Sequence, residues 1–328
     1  MTRPNEDFPD WILRITREIW EDRGLGARMR DYYGPEVIVR TPGGIAVGEP
    51  ACTAATMAAL VELPDRQLLG EDVIWCETAE GGRLSSHRIA STATHSGGGA
   101  FAPAPTGRRL HYRAIADCYA EDGVITDEWL IRDNGAVVRQ LGIEPRDWAA
   151  AAIAAGRGAA FTPAQDRAGP YRGSGEPGEW GARYADLLRR IMGAEFSAIP
   201  GNWDRACHLE YPGGVTAQGW EAADRFWLPL RAAFPSAEFK VHHVIGRGSD
   251  PMMPPRAAVR WSLTGRHDGW GAFGPPTGAP VHVMGICHAE FGPYRAGGHV
   301  PGEWSVRREW VLLDETAIWT QILTEAGR

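Results

Sequence analysis

The sequence lacks several features that would assign it to a large class of proteins. None of its apolar runs approaches the roughly 20 residues that a membrane-spanning helix needs. Its five cysteines are scattered and never form Cys-x-x-Cys, which argues against a disulfide framework and a thiolate metal site. The net charge of -7 gives no electrostatic reason to expect a nucleic-acid or membrane partner. Residues 1–10 are polar and acidic, unlike a secretory signal, so we expect a cytoplasmic protein.

What remains is the composition of a soluble globular protein. Apolar residues make up 44% of the chain and charged residues 23%. A length of 328 residues is enough for two domains, each with its own core. The negative net charge favours small neutral or cationic ligands.

One Gly-rich segment occurs twice. Residues 94–108 and 265–278 each place a His before a glycine run, then Ala-Phe, then Pro-Thr-Gly, and each is expected to join two strands. Other landmarks recur at a nearly constant offset, among them Arg88 with Arg260 and His95 with His267, both pairs 172 positions apart (260 − 88, 267 − 95). Such spacing predicts a duplicated domain.

The repeat also sets the domain boundaries. The pair Glu128 and Trp129 reappears as Glu309 and Trp310, 181 positions later (309 − 128), once a Gly-rich insertion around residues 296–299 is allowed for. Residues 156–178 are rich in Gly, Pro, Arg and Ser and have no sustained period, as in a linker. We therefore expect a first domain over residues 1–155, a linker over 156–178 and a second domain over 179–328.

Within the first half, helical patterns come before strand patterns. We expect helices over residues 11–20, capped by Asp10, and over 49–62. Strands are expected over residues 36–40, 71–77, 83–94, 110–119 and 124–132. This order predicts an α+β fold with an antiparallel sheet.

Both halves resemble the SnoaL-like polyketide cyclase branch of the nuclear transport factor 2-like superfamily. In the first half the resemblance is carried by the following pieces: Leu63-Pro64-Asp65, Thr94-His95, Pro105-Thr106-Gly107-Arg108, Asp117, Asp122-Gly123-Val124-Ile125, Glu128-Trp129, Asp133 and Gln140-Leu141-Gly142. The resemblance implies two tandem cone-shaped barrels, each a curved antiparallel sheet wrapped around helices with an apolar pocket at one end. It also implies no metal and no organic cofactor. Dimers of the family pair through the sheet, which suggests an intramolecular pseudo-dimer here and leaves homo-oligomers open.

The family's acid/base pair maps onto Asp117 and His95. In the strand over residues 110–119, Asp117 shares a face with Arg113 and Tyr119, and burial in a pocket would raise the pKa of its carboxyl group toward a useful range. The alternative is that this face meets water or the other domain. His95 either assists catalysis or holds its loop through a hydrogen bond, as its counterpart His267 would.

Other residues are candidates for lining or supporting the pocket: Arg88, Asp72, Tyr112, Glu128, Trp129, His243, Arg260, His267, His288, Glu309 and Trp310. The matched arginines Arg88 and Arg260 would orient a carboxylate or join an Asp–Arg pair like that of limonene epoxide hydrolases. The alternative is a salt bridge to Glu128 or Glu309 that supports the sheet.

The second half departs from the family pattern. His288 replaces Asp117, and His242-His243 replaces Glu71-Asp72. The second half has therefore lost or changed the acid/base arrangement. As an alternative, His243, His267 and His288 would ligate a divalent metal, with Glu290 or Asp268 nearby.

These observations leave two main functions open. The first is a cofactor-independent enzyme that moves protons on an apolar carbonyl-containing small molecule, by aldol-type cyclisation, isomerisation or related lyase or hydrolase chemistry. The second is a non-catalytic binding protein for such a molecule, and a His-ligated metal enzyme is a third alternative. The enzyme hypothesis requires Asp117 and His95 to point into one cavity.

Overall fold

A computed structural model describes residues 6–293 and 304–326 of the chain. In the first half a π-helical turn, Arg17–Glu21, follows the first helix. The other elements of this half are α1 (Phe8–Thr16), α2 (Ala27–Tyr32), β1 (Tyr33–Thr41), β2 (Gly44–Val47), α3 (Glu49–Glu62), β3 (Gln67–Glu77), β4 (Arg83–Thr94), β5 (Arg109–Glu121), β6 (Val124–Arg132), α4 (Asn134–Gln140) and α5 (Pro145–Ala154).

The second half repeats this order. Its elements are α6 (Gly178–Met192), α7 (Ala198–Asn202), β7 (Trp203–Tyr211), β8 (Val215–Gln218), α8 (Trp220–Ala233), β9 (Glu238–Arg247), β10 (Arg256–Arg266), β11 (Pro280–Gly292), β12 (Ser305–Leu313) and α9 (Glu315–Ala326). Between the halves, the range 156–177 contains one short 3₁₀ turn, Pro163–Gln165. The predicted insertion at residues 296–299 lies outside the described residues.

Each half forms one six-stranded sheet of the same topology. The strand orders are β2-β1-β6-β5-β4-β3 and β8-β7-β12-β11-β10-β9. The expected α+β class and its tandem arrangement are confirmed. The sheets are open and mixed, however, because β1 pairs parallel with β6 and β7 pairs parallel with β12. The prediction of a purely antiparallel sheet was therefore wrong at these two strand pairings.

Local sequence explains most of the helix boundaries. Helix α3 spans the predicted residues, and Gly48 precedes it with a positive φ of 84° that glycine adopts readily. Helix α1 begins earlier than predicted, because Asp7 caps it by accepting from the backbone N–H of Asp10 at 2.9 Å. Asp10 lies instead in the first turn, where its charge favours the positive end of the helix dipole.

The two sheets contact each other through a shared apolar cluster, which includes Ile115 and Ile286, and through polar and aromatic side chains. The guanidinium of Arg88 lies 3.5 Å from the ring centre of Trp310, and that of Arg260 lies 4.5 Å from Trp129. These contacts are reciprocal, since Arg88 corresponds to Arg260 and Trp129 to Trp310. Nearby, Arg256 Nε lies 3.3 Å from Asp72 Oδ2. Side chains of the face turned away from each half's own helices thus hold the halves together.

Of the helices in the described residues, not one has the length and apolar character required to cross a membrane.

Candidate functional site

The first half contains a narrow, mostly apolar cavity between its sheet and its N-terminal helices. Its enclosed volume is about 60 Å³, and it opens to solvent, so that a ligand can extend beyond the enclosed part. Its lining includes Ile12, Ile15, Thr16 and Trp20 from the helical segment, Tyr33, Arg66 and Leu68, and His87, Ile89, Ser91, Tyr112, Ala114, Ala116, Cys118, Ile125, Glu128, Leu130 and Arg132 from the strands. The β5 residues in this set alternate along the strand, so one face of the sheet forms the wall.

Glu128 is a buried carboxylate in this cavity. The hydroxyl of Tyr33 donates to Glu128 Oε2 at 2.8 Å. Burial raises the pKa of Glu128 above its usual value, while the Tyr33 hydrogen bond and the charge of Arg132 act in the opposite direction. A carboxylate in this environment is a better proton acceptor near neutral pH than an exposed one.

His87 is a buried imidazole in the same cavity. Burial, aided by the charge of Arg88, lowers the pKa of His87 to about 3, so the ring is neutral at physiological pH. Its Nε2 atom has no hydrogen-bond partner among the described residues. On the sheet, His87 pairs with Ala116, and Glu128 pairs with Cys118, two residues further along β5. The two side chains therefore face the cavity from neighbouring rows.

Asp117 does not lie in this cavity. It is buried between the two sheets, where its Oδ2 lies 3.2 Å from His243 Nδ1. Burial raises the pKa of Asp117 to about 6, and the charge of Arg260 opposes that shift. Because side chains alternate along β5, the face that carries Asp117 points away from the face that carries Tyr112 and Ala116.

His95 holds its loop. Its Nδ1 accepts from the backbone N–H of Thr106 at 3.1 Å, and its Nε2 lies 3.1 Å from Glu62 Oε1. The same carboxylate accepts from the backbone N–H of Phe101 at 2.8 Å. The prediction that Asp117 and His95 share a cavity is therefore wrong, and these contacts fit the loop-holding alternative for His95.

The other predicted residues do not lie together. Tyr112 and Glu128 line the cavity. The set found between the halves consists of Asp72, Arg88, Trp129, His243, Arg260, His288 and Trp310. The expected salt bridge from Arg88 to Glu128 is wrong, because Arg88 Nε pairs with Glu71 Oε2 at 3.2 Å. Arg260 likewise contacts His243 and Trp129 rather than Glu309.

The predicted metal ligands do not meet. His288 Nε2 lies 2.7 Å from Ser86 Oγ, His243 contacts Asp117, and His267 Nδ1 lies 3.1 Å from Thr277 Oγ1 in the second Gly-rich loop. Within residues 6–293 and 304–326, no three His, Cys, Asp or Glu side chains form a group that could hold a metal ion.

The corresponding interior of the second half is filled by aromatic side chains. Trp261 is fully buried, and its indole occupies the place where a Cβ on Gly285 would lie. The matching positions in the first half are Ile89 (261 − 172) and Ala114 (285 − 171), which line the cavity. The second half therefore has no equivalent cavity at these positions.

Glu309 is the counterpart of Glu128, and its carboxylate already accepts several hydrogen bonds from the protein. It accepts from Tyr184 at 2.7 Å, from Trp203 Nε1 at 3.1 Å and from Tyr211 at 2.6 Å. Three donors leave this carboxylate little capacity to contact a ligand. Its role is to join helix α6 and strand β7 to strand β12.

Sequence reasoning missed several cavity residues, namely Tyr33, Arg66, His87, Ser91 and Arg132. The signal that could have found His87 and Ser91 is alternation in β4, which puts them on the face opposite Arg88. The polar face of the strands was assigned to the pocket, whereas in the structure the more apolar face lines it.

Comparison with known proteins identifies one matching domain family. Residues 183–296 match the SnoaL-like domain family. No curated protein sequence matches the chain.

Three similar solved structures each cover 40–42% of this chain. IdmH from Streptomyces antibioticus is 22% identical, with 40% of this chain and 98% of that chain covered and a TM-score of 0.34. TsrD from Streptomyces laurentii is 21% identical, with 42% and 98% covered and a TM-score of 0.35. A SnoaL-like polyketide cyclase from Agrobacterium tumefaciens is 19% identical, with 40% and 96% covered and a TM-score of 0.32.

The second half therefore matches the SnoaL-like domain family, and the first half has the same sheet topology.

Proposed function

We propose that the first half is a cofactor-independent acid–base catalyst that acts on an apolar small molecule containing a carbonyl group. The observation that carries this proposal is a neutral, buried His87 with an unpartnered Nε2 in the same apolar cavity as Glu128, whose pKa is raised. Apolar pockets with a few convergent polar groups of shifted pKa are typical of enzyme sites. The second half, whose interior is filled by aromatic side chains, has a structural role and packs against the first half.

Each cavity residue has a role in proton transfer. Glu128 removes a proton from the carbon next to the carbonyl, and the electron pair of that C–H bond moves onto the carbonyl oxygen. His87 donates from Nε2 to this oxygen, as a neutral imidazole does when it stabilises an enolate. Tyr33 keeps the carboxylate of Glu128 in place through its 2.8 Å hydrogen bond.

The enolate carbon then forms a new bond. In an aldol-type cyclisation it attacks a second carbonyl carbon of the same molecule, and protonated Glu128 returns the proton to the new alkoxide. In an isomerisation Glu128 returns the proton to a different carbon. Both outcomes conserve atoms and electrons, so neither needs a redox cofactor.

The two halves would pair as the intramolecular counterpart of a homodimer. The reciprocal contacts of Arg88 with Trp310 and of Arg260 with Trp129 support this proposal, because a two-fold interface uses the same patch on both partners.

Deuterium exchange tests the chemistry without knowledge of the natural product. Methyl 4-oxo-4-phenylbutanoate is incubated with the protein in D₂O, and loss of the signal from the protons next to the ketone is followed by NMR. We expect wild-type protein to accelerate exchange, and Glu128→Gln to slow it by about 10²–10⁴-fold, the usual contribution of a positioned acid or base. Asp117→Asn is the matched control and should exchange at the wild-type rate.

Two results would count against the proposal. Exchange in wild-type protein at the rate of buffer alone, together with binding of the ketone, would assign the cavity to a binding protein. A Glu128→Gln variant as fast as wild type would remove Glu128 from the mechanism.

A further inference from the structure

Two arginines that line the cavity form no ion pair with a carboxylate of the described residues. Arg66, just before β3, is only 7% exposed, and its Nε has no hydrogen-bond partner. Arg132 ends β6, and burial together with the charge of Arg66 lowers its pKa. Among residues 6–293 and 304–326, no ion pair or side-chain hydrogen bond is formed by either guanidinium. The cavity thus contains two guanidinium groups without an ion pair, although the charges of Glu128 and Asp314 act on Arg132 in the direction opposite to burial.

Two other buried arginines, Arg40 and Arg88, do have carboxylate partners. Arg40 pairs with Asp127 at 3.1 Å and with Asp166 at 2.5 Å. Arg88 pairs with Glu71 and also lies over an indole ring. A buried charge without a partner is costly, and two like charges close together cost more. The contrast indicates that Arg66 and Arg132 have a partner that is not part of the protein.

The position of this pair relative to Glu128 limits the shape of a ligand. Glu128 and Arg132 lie on the same face of β6, four residues apart, which corresponds to roughly 13 Å along a strand. His87 faces the cavity one row from Arg132, because Ala116 and Ala114 are their partners on β5. Leu130 provides apolar surface between these polar ends, and Ile89 lies in the row of Arg132. A ligand with an anionic end, an apolar body and a carbonyl along its length matches this order.

We propose that Arg66 and Arg132 bind the carboxylate of an apolar keto acid and thereby determine the substrate class of the site. A planar guanidinium pairs with a carboxylate through two parallel hydrogen bonds, so two of them orient the anion as well as attract it. This proposed ligand class differs from the neutral or cationic ligands expected from the net charge of the chain. The position of the ketone rests on the proposed function, whereas the carboxylate preference concerns binding alone.

Binding of a matched pair of probes tests the inference. 4-Oxo-4-phenylbutanoate and its methyl ester differ only in the negative charge and one methyl group, and their dissociation constants are measured by isothermal titration calorimetry. We expect wild-type protein to bind the acid at least about tenfold more tightly than the ester, as charge-assisted hydrogen bonds to a desolvated anion imply. Arg66→Met and Arg132→Met should each lose most of this preference and keep the affinity for the ester.

The controls separate this proposal from the catalytic one. Arg109→Met removes the same charge from an exposed position and should leave the preference unchanged. Glu128→Gln should lose deuterium exchange and keep the preference for the acid. Equal affinity of wild-type protein for the two probes, or no binding of either at millimolar concentration, would overturn the inference. Retention of the full preference in both arginine variants, with wild-type circular dichroism, would do so as well.

Discussion

Asp117→Asn should stabilise the protein at neutral pH. The unfolded chain releases the proton of this carboxyl group near pH 3.8, while burial between the sheets raises the folded-state pKa to about 6. The folded state therefore binds more protons between these values, and stability falls as the pH rises through that window. The shift of about 2 units corresponds to at most about 3 kcal/mol, at 1.36 kcal/mol per unit. Asparagine carries no charge and avoids this cost, and it keeps a polar side chain beside His243 Nδ1.

Urea unfolding followed by tryptophan fluorescence measures the effect. At pH 7.5 the free energy of unfolding of the variant should exceed that of wild type by up to about 3 kcal/mol, and near pH 4 the difference should nearly vanish. A variant that is less stable than wild type at pH 7.5, or whose advantage does not depend on pH, would refute the reasoning.

Asp65→Asn is a matched control for which we expect the opposite change in stability at neutral pH. Hydrogen bonds from the side chain and backbone of Thr94 lower the pKa of Asp65, at 2.7 and 2.6 Å. This carboxylate therefore contributes stability above its unfolded pKa, and that contribution is lost as the pH falls. Its replacement should lower the urea midpoint at neutral pH.

Three further substitutions test the difference between the halves. Ile89→Trp introduces the residue type found at the matching position of the second half. It should weaken binding of methyl 4-oxo-4-phenylbutanoate at least about tenfold. Overpacking should also lower the free energy of unfolding in urea by about 1–3 kcal/mol. Trp261→Ala should cost about 3–5 kcal/mol in the same assay and leave binding of the ester unchanged, since it empties the other half; weaker binding would contradict this assignment. Tyr184→Phe removes one of three donors to Glu309 and should cost about 1–3 kcal/mol, again without an effect on binding; an unchanged urea midpoint would contradict the structural role of this contact.

Much of the fold could be predicted from the sequence. Strands β4 and β6 and helix α3 begin and end at the predicted residues, because period-2 and helical patterns there are bounded by turn residues. The duplication was visible because landmarks kept their spacing. The parallel pairing of β1 with β6 was missed, since neither strand carries a local signal for which partner it takes.

The site was predicted less well, for a physical reason. Alternation in β5 separates two faces correctly, but it does not say which face meets the helices and which meets the other sheet. The polar face that carries Asp117 was assigned to the pocket because catalytic groups are polar. In this chain the contact between the sheets contains polar groups as well as an apolar cluster. The two arginines of the cavity, Arg66 and Arg132, lie at the ends of elements, where periodicity gives no guidance.

The covalent link between the halves has a consequence for how their sites could change. In a dimer of identical chains a substitution appears in both copies at once, so a bulky residue that closes one pocket closes the other. In a tandem chain the codons for Ile89 and Trp261 vary independently. One copy can thus exchange its cavity for a well-packed interior while its reciprocal Arg–Trp contacts with the other copy persist. Titration with ligand should accordingly reach saturation at one molecule per chain, half the number that the duplicated fold would otherwise suggest.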